Sequence, residues 1–173
     1  MTTADRRPRI CRFRQRPFLS SVMQIEPQWI DYNGHLNMAY YNVMFDRAID
    51  EMWLQLGIGP GYMKERHGST FTAECHVRYL REIHLGDPVQ ISVYLLAAPT
   101  KSACIRSRSC ATPTEGWLSA TSENMSIHMD MKARKDRTVP TGHSRPAFRR
   151  SSMRTRPRAR PEGIGRKVAM PSK

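Results

Sequence analysis

The sequence predicts a single α+β domain in which one long helix packs against an antiparallel sheet. Two observations lead to this prediction. A stretch after residue 37 repeats apolar residues every four positions, as the buried face of a helix does, and a later stretch alternates apolar and polar residues, as strands do. With 173 residues, the chain has the size of one domain with tails rather than of two full domains.

The helix is predicted to begin after Asn37, a residue type that caps helix N-termini well. Glycines and a proline within residues 57–61 are expected to end it. Such a broad apolar face predicts a helix that is buried against the rest of the domain. The face consists of Tyr40, Met44, Ala48, Met52 and Leu56, with Tyr41, Phe45, Ile49 and Trp53 beside them.

Strands are predicted on both sides of this helix. Residues 22–30 read as a short strand before it, and residues 69–79 alternate as a half-exposed strand after it. A Gly-Asp-Pro turn leads into a strand at residues 89–95, which we expect to pair antiparallel with the preceding strand. A last strand is predicted at residues 117–131, and its mixed faces leave its inward side open. Residues 101–113 show no alternation, and no element is assigned to them.

The net charge of +13 originates at the two ends of the chain. Residues 1–20 carry six Arg and one Asp, and residues 132–173 carry fourteen Lys or Arg and two acids, so the middle is mildly acidic. Basic segments without an apolar period are typical of unfolded tails. We therefore predict a basic N-terminal tail at residues 1–20, the domain at residues 21–140, and a basic, disordered tail at residues 141–173. Because these tails contain no nucleic-acid reader motif, nucleic acid is not the expected partner.

The four cysteines do not form a zinc-binding or disulfide pattern. Cys11, Cys75, Cys104 and Cys110 show no CxxC spacing, which favours reduced thiols in a cytoplasm. No apolar run approaches the roughly 20 residues of a membrane-spanning helix, and the arginine-rich start lacks the apolar stretch of a secretory signal. An organellar transit peptide is the alternative, because residues 1–20 are basic and poor in acids.

The loop before the helix carries the motif DYNGHLN, at residues 31–37. The order of strand, polar loop, long helix and antiparallel strands around this motif resembles the hotdog-fold acyl-CoA thioesterases related to 4-hydroxybenzoyl-CoA thioesterase. The resemblance covers about residues 22–140. It is closest at residues 29–59 and 69–89, and these two blocks look similar to betainyl-CoA thioesterases.

The resemblance implies a hotdog fold, in which a curved antiparallel sheet wraps a long central helix. It also implies a homodimer, or a dimer of dimers, with the active site at the dimer interface beside the N-terminus of that helix. The substrates would be an acyl-CoA and water, and no metal or organic cofactor is expected. By the same resemblance Asp31 is the central catalytic residue, while Asn33 and His35 match positions that orient water or substrate in related acyl-ACP thioesterases.

Thioester hydrolysis explains why these residue types suit the loop. Asp31 is ionised at neutral pH, so it can attack the thioester carbon as a nucleophile or accept a proton from water as a general base. Backbone N–H groups at Met38 and Ala39 open the helix and can bind the carbonyl oxygen, with Asn37 beside them. His35 can hydrogen-bond the leaving group. The alternative for Asp31 and Asn37 is a purely structural role as turn and cap residues.

Further substrate-binding residues are predicted, most of them outside the loop. Glu74 and His76 share one strand face and would bind substrate if that face turns inward, whereas a solvated strand face is the alternative. Arg78 and Arg81 are candidates for the phosphates of CoA. An aromatic cage for a quaternary ammonium group, with core packing as the alternative, would draw on Trp29, Tyr32, Tyr40, Tyr41 and Trp53.

Two segments depart from the family pattern. Residues 101–113 and 141–160 are rich in Arg, Ser, Pro and Cys, which suggests local reading-frame slips, whereas residues 160–173 again resemble the end of related thioesterases. Two other functions stay open. A hotdog hydratase or dehydratase would use a pair such as His35 and Asp31 for proton transfer. A noncatalytic binding module would dock through its basic tails.

Overall fold

The structure is a computed structural model that describes residues 17–97, 103–111 and 116–137, with only the backbone described at residues 96–97 and 103–111. The predicted disordered tail at residues 141–173 lies outside the described residues, as do residues 1–16. In chain order the elements are β1 (Phe18–Leu19), a 3-10 helix (Pro27–Trp29), α1 (Met38–Gln55), α2 (Pro60–Arg66), β2 (Gly68–Tyr79), β3 (Gln90–Ala97), β4 (Ala103–Ala111), β5 (Leu118–Asp130) and β6 (Lys135–Asp136).

Helix α1 confirms the predicted helix and its cap. Asn37 accepts a hydrogen bond at Oδ1 from the N–H of Ala39, over 3.0 Å. One broad face of the helix is buried, and full burial of a large apolar side chain stabilises a fold by about 1.5–3 kcal/mol. The buried residues are Tyr41, Met44, Phe45, Ala48, Ile49, Met52 and Trp53.

The strands form one antiparallel sheet in the order β1-β3-β4-β5-β2, and β6 pairs with β5. The predicted pairing of residues 69–79 with residues 89–95 is wrong, because β2 pairs with β5 while β3 pairs with β1 and β4. The connection between β2 and β3 does not turn back as a hairpin. It runs across the domain, with Ile83 accepting a hydrogen bond from Leu36 and Val89 bonded to Met23.

The predicted strand at residues 22–30 is also wrong as a continuous strand. Pro27 starts the 3-10 helix, because its ring fixes φ and removes the N–H that a strand ladder needs. Only isolated bridges remain on either side, between Met23 and Val89 and between Ile30 and Leu36. The sheet begins instead at Phe18, inside the predicted N-terminal tail; Phe18 is buried and pairs with Val93.

Besides β1, the 3-10 helix and β6, two further elements were not predicted. Residues 101–113, whose sequence shows no alternation, contain β4, which lies inside the sheet between β3 and β5. Its many polar residues hide the alternation, but its backbone pairs with a strand on each side. Helix α2 begins at Pro60, which is favourable in the first turn, and carries Lys64 and Arg66 in its last turn.

Strand β5 confirms the predicted last strand and shows which of its faces is inward. Alternate residues from Ala120 to His128 are buried, and most of them are polar. Ser122 donates a hydrogen bond to Asn124 within this row.

In the described part of the chain, neither helix is long and apolar enough to cross a membrane.

Candidate functional site

The loop that carries the motif is a tight hairpin. The N–H of Asp31 donates to the carbonyl of His35 over 2.9 Å, and the N–H of Gly34 donates to the carbonyl of Asp31 over 3.0 Å. Gly34 has a φ of 80°, in the left-handed region that glycine adopts without strain. The Asp31 carboxylate closes the hairpin, because its Oδ1 accepts from the N–H groups of Asn33 at 2.8 Å and His35 at 3.4 Å.

The hairpin is attached to the core at its end. The N–H of Leu36 donates to the carbonyl of Ile83 over 2.8 Å, and the N–H of Asn37 donates to the carbonyl of Trp29 over 2.9 Å. Leu36, Ile83 and Trp29 are all buried. The position of Asp31 relative to the first turn of α1 is therefore fixed by backbone hydrogen bonds and packing.

An open cleft of about 780 Å³ lies between this hairpin and the end of β2. It brings together seven of the predicted site residues: Asp31, Tyr32, His35, Asn37, Met38, Tyr41 and Arg81. Its full lining is Asp31, Tyr32, His35, Leu36, Asn37, Met38, Tyr41, Tyr79, Leu80, Arg81 and Glu82.

The other predicted site residues do not line this cleft. Asn33 is exposed at the hairpin tip, and Ala39 is exposed in the first turn of α1. Tyr40 stacks on Trp29, with 5.3 Å between the ring centroids. Glu74 and His76 lie on β2, where Glu74 is exposed and His76 is half-buried; they pair with Met125 and Glu123 of β5.

The end of β2 contributes residues that the sequence patterns did not single out. Tyr79 donates a hydrogen bond from its hydroxyl to the carbonyl of Met38 over 3.3 Å, and its ring meets that of Tyr41 edge-on at 5.2 Å. Burial, with a smaller effect of Cys75, raises the pKa of Tyr79 above its ordinary value, so the hydroxyl stays a donor. No local signal marks these residues, because only the tertiary fold brings them to the loop.

Glu82 is the charged residue that contacts the motif directly. Its Oε2 lies 3.2 Å from Nε2 of His35. Beside it, the guanidinium of Arg81 lies over the ring of Trp117, 4.2 Å from the centroid. The cleft thus carries two carboxylates, from Asp31 and Glu82, and one stacked cation.

The aromatic residues proposed for a cage divide into two groups. Trp29 and Trp53 are buried in the core, at 3% and 5% exposure. The guanidinium of Arg47 covers the ring of Trp29 at 4.8 Å from its centroid. Tyr32, which is 99% exposed, and the buried Tyr41 line the cleft instead.

Comparison with known proteins identifies related sequences. A family model described as the thioesterase-like superfamily matches residues 25–172. A betainyl-CoA thioesterase of Pseudomonas aeruginosa is 31% identical over 146 residues, which are 84% of this chain and 90% of that protein. An L-carnitine dehydrogenase/betainyl-CoA thioesterase of Rhizobium meliloti is 31% identical over 117 residues, which are 68% of this chain but 23% of that protein.

Solved structures share the architecture at lower identity. A Staphylococcus aureus protein solved in complex with CoA superposes with a TM-score of 0.78 at 22% identity, covering 91% of this chain and 97% of that chain. A 1,4-dihydroxy-2-naphthoyl-CoA thioesterase from Synechocystis superposes with a TM-score of 0.65 at 11% identity, covering 78% and 93%. At these identities the likeness concerns the fold alone.

Proposed function

The chain belongs to the thioesterase-like superfamily and has the α+β hotdog fold, and from this premise we propose that it hydrolyses a small acyl-CoA to the free acid and CoA. The superfamily makes the chain a thioester hydrolase. Betainyl-CoA is the substrate we propose first, since it is the substrate named for the relatives.

The observation that carries this proposal is the Asp31 carboxylate held at the cleft beside the start of α1. Its Oδ1 already accepts two backbone hydrogen bonds, from Asn33 and His35. Oδ2 is therefore the oxygen that we assign to chemistry. It attacks the thioester carbon to form an anhydride and release CoA thiolate, and water then hydrolyses the anhydride; alternatively, it removes a proton from the water that attacks.

The first turn of α1 offers a donor for the carbonyl oxygen. The N–H groups of Asn37, Ala39 and Tyr40 already donate, to Trp29, to the Asn37 side chain and to the Asn37 carbonyl respectively. Among the described residues of this turn, that leaves the N–H of Met38, and we assign it to the developing oxyanion, where the helix dipole adds to its effect. Ala39, expected to share this role, donates to the cap instead.

We assign the acyl group to the tyrosines of the cleft. Tyr41 and Tyr79 meet edge-on, and Tyr32 is fully exposed beside them. Aromatic faces attract a quaternary ammonium group by about 0.5–2 kcal/mol, and the carboxylates of Asp31 and Glu82 add negative charge. A betainyl group therefore suits this lining better than a neutral acyl group of the same shape.

His35 and Arg81 are assigned to the CoA part of the substrate. The Glu82 carboxylate holds the His35 ring in one orientation, so that His35 can hydrogen-bond the thiolate that leaves. Arg81 is exposed at the rim, and stacking on Trp117 fixes its guanidinium for a phosphate.

We further propose that the protein works as a homodimer joined through β2. This strand is 12 residues long and pairs on one side with β5, and among the residues that the structure describes no strand pairs with its other edge. Long open edges are templates for pairing with another chain. Phe71 is 48% exposed on it, and in such a dimer Glu74 and His76 of β2 would be available to the partner's cleft.

Light scattering and cross-linking test the dimer. Cys75 is an exposed thiol near the middle of β2, and in an antiparallel pair related by a two-fold axis the central residues of the two strands come close together. We expect twice the chain mass in solution and a Cys75–Cys75 cross-link with a short bismaleimide, identified by peptide mass. A Cys75→Ser variant should keep the mass and lose this cross-link. A monomeric mass would contradict the proposal.

The enzymatic proposal is tested by release of free thiol from a matched pair of substrates. Betainyl-CoA and 3,3-dimethylbutanoyl-CoA carry acyl groups of nearly equal shape, and only the first is cationic. We expect thiol release from both, with kcat/KM about tenfold higher for betainyl-CoA because of the cation–π attraction. A hydratase would change the acyl chain and leave the thioester intact. Absence of thiol release from a well-folded protein would contradict the proposal.

A further inference from the structure

Three potential metal ligands meet at the edge of the cleft, and one of them has no role in the function proposed above. Ligand atoms of His35, Glu82 and His84 all lie within 4.8 Å of one another. His35 and Glu82 line the cleft, whereas His84 does not. Two imidazoles and a carboxylate are a donor set that zinc binds in proteins.

The geometry of the cluster is close to that of a bound ion. Ligand atoms around a tetrahedral Zn²⁺ lie roughly 3.4 Å apart, given bonds of about 2.0–2.2 Å. His35 Nε2 and Glu82 Oε2 are already 3.2 Å apart. The rings of His35 and His84 meet edge-on at 5.0 Å, and the side chains of Glu82 and His84 are 66% and 57% exposed. Small side-chain rotations are therefore enough to bring all three atoms onto one ion.

The backbone around the cluster is held in place. Glu82 and His84 flank Ile83, whose side chain is fully buried, whereas the two flanking residues are exposed. The carbonyl of Ile83 accepts from Leu36, which ties this segment to the hairpin of His35. Asp87 accepts from the N–H of His84 at 2.9 Å, and its Oδ2 lies 3.9 Å from Nδ1 of the same ring. A small rotation of the His84 ring would bring Nδ1 within hydrogen-bonding distance of Asp87, and such a bond orients a histidine for metal binding.

We propose that His35, Glu82 and His84 form a binding site for Zn²⁺, completed by water, and that zinc occupancy inhibits the enzyme. Zn²⁺ binds the lone pair of a ring nitrogen, so His35 and Glu82 exchange their mutual contact for bonds to the ion. Inhibition follows because His35 and Glu82, once bound to the ion, no longer take part in substrate binding at the cleft. The predicted inhibition rests on the proposed function, whereas the predicted zinc binding does not.

Metal binding is measured on the full chain after chelator treatment and desalting. Zn²⁺ is titrated calorimetrically, and Co²⁺ serves as a spectroscopic probe of the ligand type. We expect one equivalent bound, with a Co²⁺ spectrum of nitrogen and oxygen ligands, and at least about a tenfold loss of affinity in His84→Ala. His67→Asn is the matched control: His67 does not line the cleft, and its left-handed φ of 51° suits asparagine.

Equal Zn²⁺ affinity in the parent and in His84→Ala would overturn the site, as would thiolate charge-transfer bands in the Co²⁺ spectrum. The second readout is thiol release. We expect His84→Ala to keep the basal rate and to lose the inhibition by Zn²⁺, and a chelator to restore the parent. If the protein binds zinc but releases no thiol even when it is free of zinc, the metal site stands and the proposed function is contradicted. Full turnover of the zinc-loaded parent would overturn the inhibitory role.

Discussion

Two histidines of this protein lie in opposite environments. The His35 side chain is 33% exposed at the cleft, with Nε2 against the exposed carboxylate of Glu82. His128 is 2% exposed, and both of its ring nitrogens are bonded: Nδ1 to the carbonyl of Arg137 at 2.9 Å and Nε2 to the hydroxyl of Tyr62 at 3.1 Å. The difference indicates that the first histidine is accessible to a substrate, whereas the second holds secondary structure together.

The bonding of His128 fixes its tautomer. A carbonyl can only accept, so Nδ1 carries the proton, and Nε2 accepts from Tyr62. Burial lowers the pKa of His128 and raises that of Tyr62, so both stay neutral. This pair joins α2 to β5. We therefore expect substitutions at the cleft to change turnover and substitutions at the Tyr62–His128 pair to change stability.

The largest effect is expected for Asp31→Asn. Loss of the nucleophile or base should lower kcat by about 10²–10⁴-fold. The free energy of unfolding should change little, because the amide oxygen can still accept from the N–H groups of Asn33 and His35. Thiol release and denaturant unfolding measure the two quantities. Asp46→Asn, on an exposed position of α1, is the control that should change neither. If Asp31→Asn loses activity only because it unfolds, the expected difference between the cleft and the Tyr62–His128 pair is contradicted.

The reverse result is expected for Tyr62→Phe. Removal of the hydroxyl leaves Nε2 of His128 buried without its donor, which should lower the free energy of unfolding by about 1–3 kcal/mol. Turnover per folded molecule should stay unchanged, since Tyr62 does not line the cleft. Urea unfolding and thiol release check both parts. Tyr94→Phe, on β3, provides a comparison for loss of a tyrosine hydroxyl elsewhere. An unchanged unfolding midpoint for Tyr62→Phe would show that the bond contributes nothing.

The pH dependence of stability sharpens the comparison. Because burial lowers the pKa of His128 in the folded state, the unfolded chain binds the proton more readily. Stability should therefore be complete above about pH 6.5, the unfolded pKa of histidine, and fall as the pH drops through the lower folded pKa. Urea unfolding at several pH values measures this slope, and His128→Gln should flatten it. A parent slope that His128→Gln leaves intact would contradict the assignment.

Asp130 titrates in a separate range. The N–H of Ala133 and the guanidinium of Arg137 hold the pKa of its carboxyl at about 2. Its contribution to stability is therefore lost only as the pH falls from about 3.8 towards 2, since a lowered carboxyl pKa stabilises the fold above the unfolded value. The slope above about pH 5 thus carries little contribution from Asp130.

Only about half of the cleft could be predicted from the sequence, for a physical reason. The hairpin and the start of α1 are local in the chain, so Asp31 and its neighbours follow from turn and cap preferences that a short window reveals. Glu82 and Tyr79 reach the cleft because β2 pairs with β5 and the following connection crosses the domain, which are long-range contacts. The Gly-Asp-Pro turn looked like a hairpin signal, and local chemistry could not show that its strands separate.

The strands and helices that could be predicted differ in the same way from those that could not. Helix α1 and strand β5 were found because each repeats its own period over many residues. Strand β4 was missed because its backbone pairing on both sides, rather than a pattern of apolar residues, makes it a strand. Helix α2 was missed because its 7 residues are too few to show a period.

The smallest effect is expected at Asn37, which contributes both to the cleft and to the stability of the fold. Asn37 lines the cleft and also caps α1 through the hydrogen bond to the N–H of Ala39. Asn37→Ala should lower the free energy of unfolding by about 1 kcal/mol, because that N–H loses its acceptor. Asn37→Asp keeps an acceptor and should restore stability, but its added negative charge beside the N–H of Met38 should lower kcat by weakening the oxyanion site. If Asn37→Asp instead recovers both stability and full turnover, Asn37 acts as a cap alone and the oxyanion site lies elsewhere.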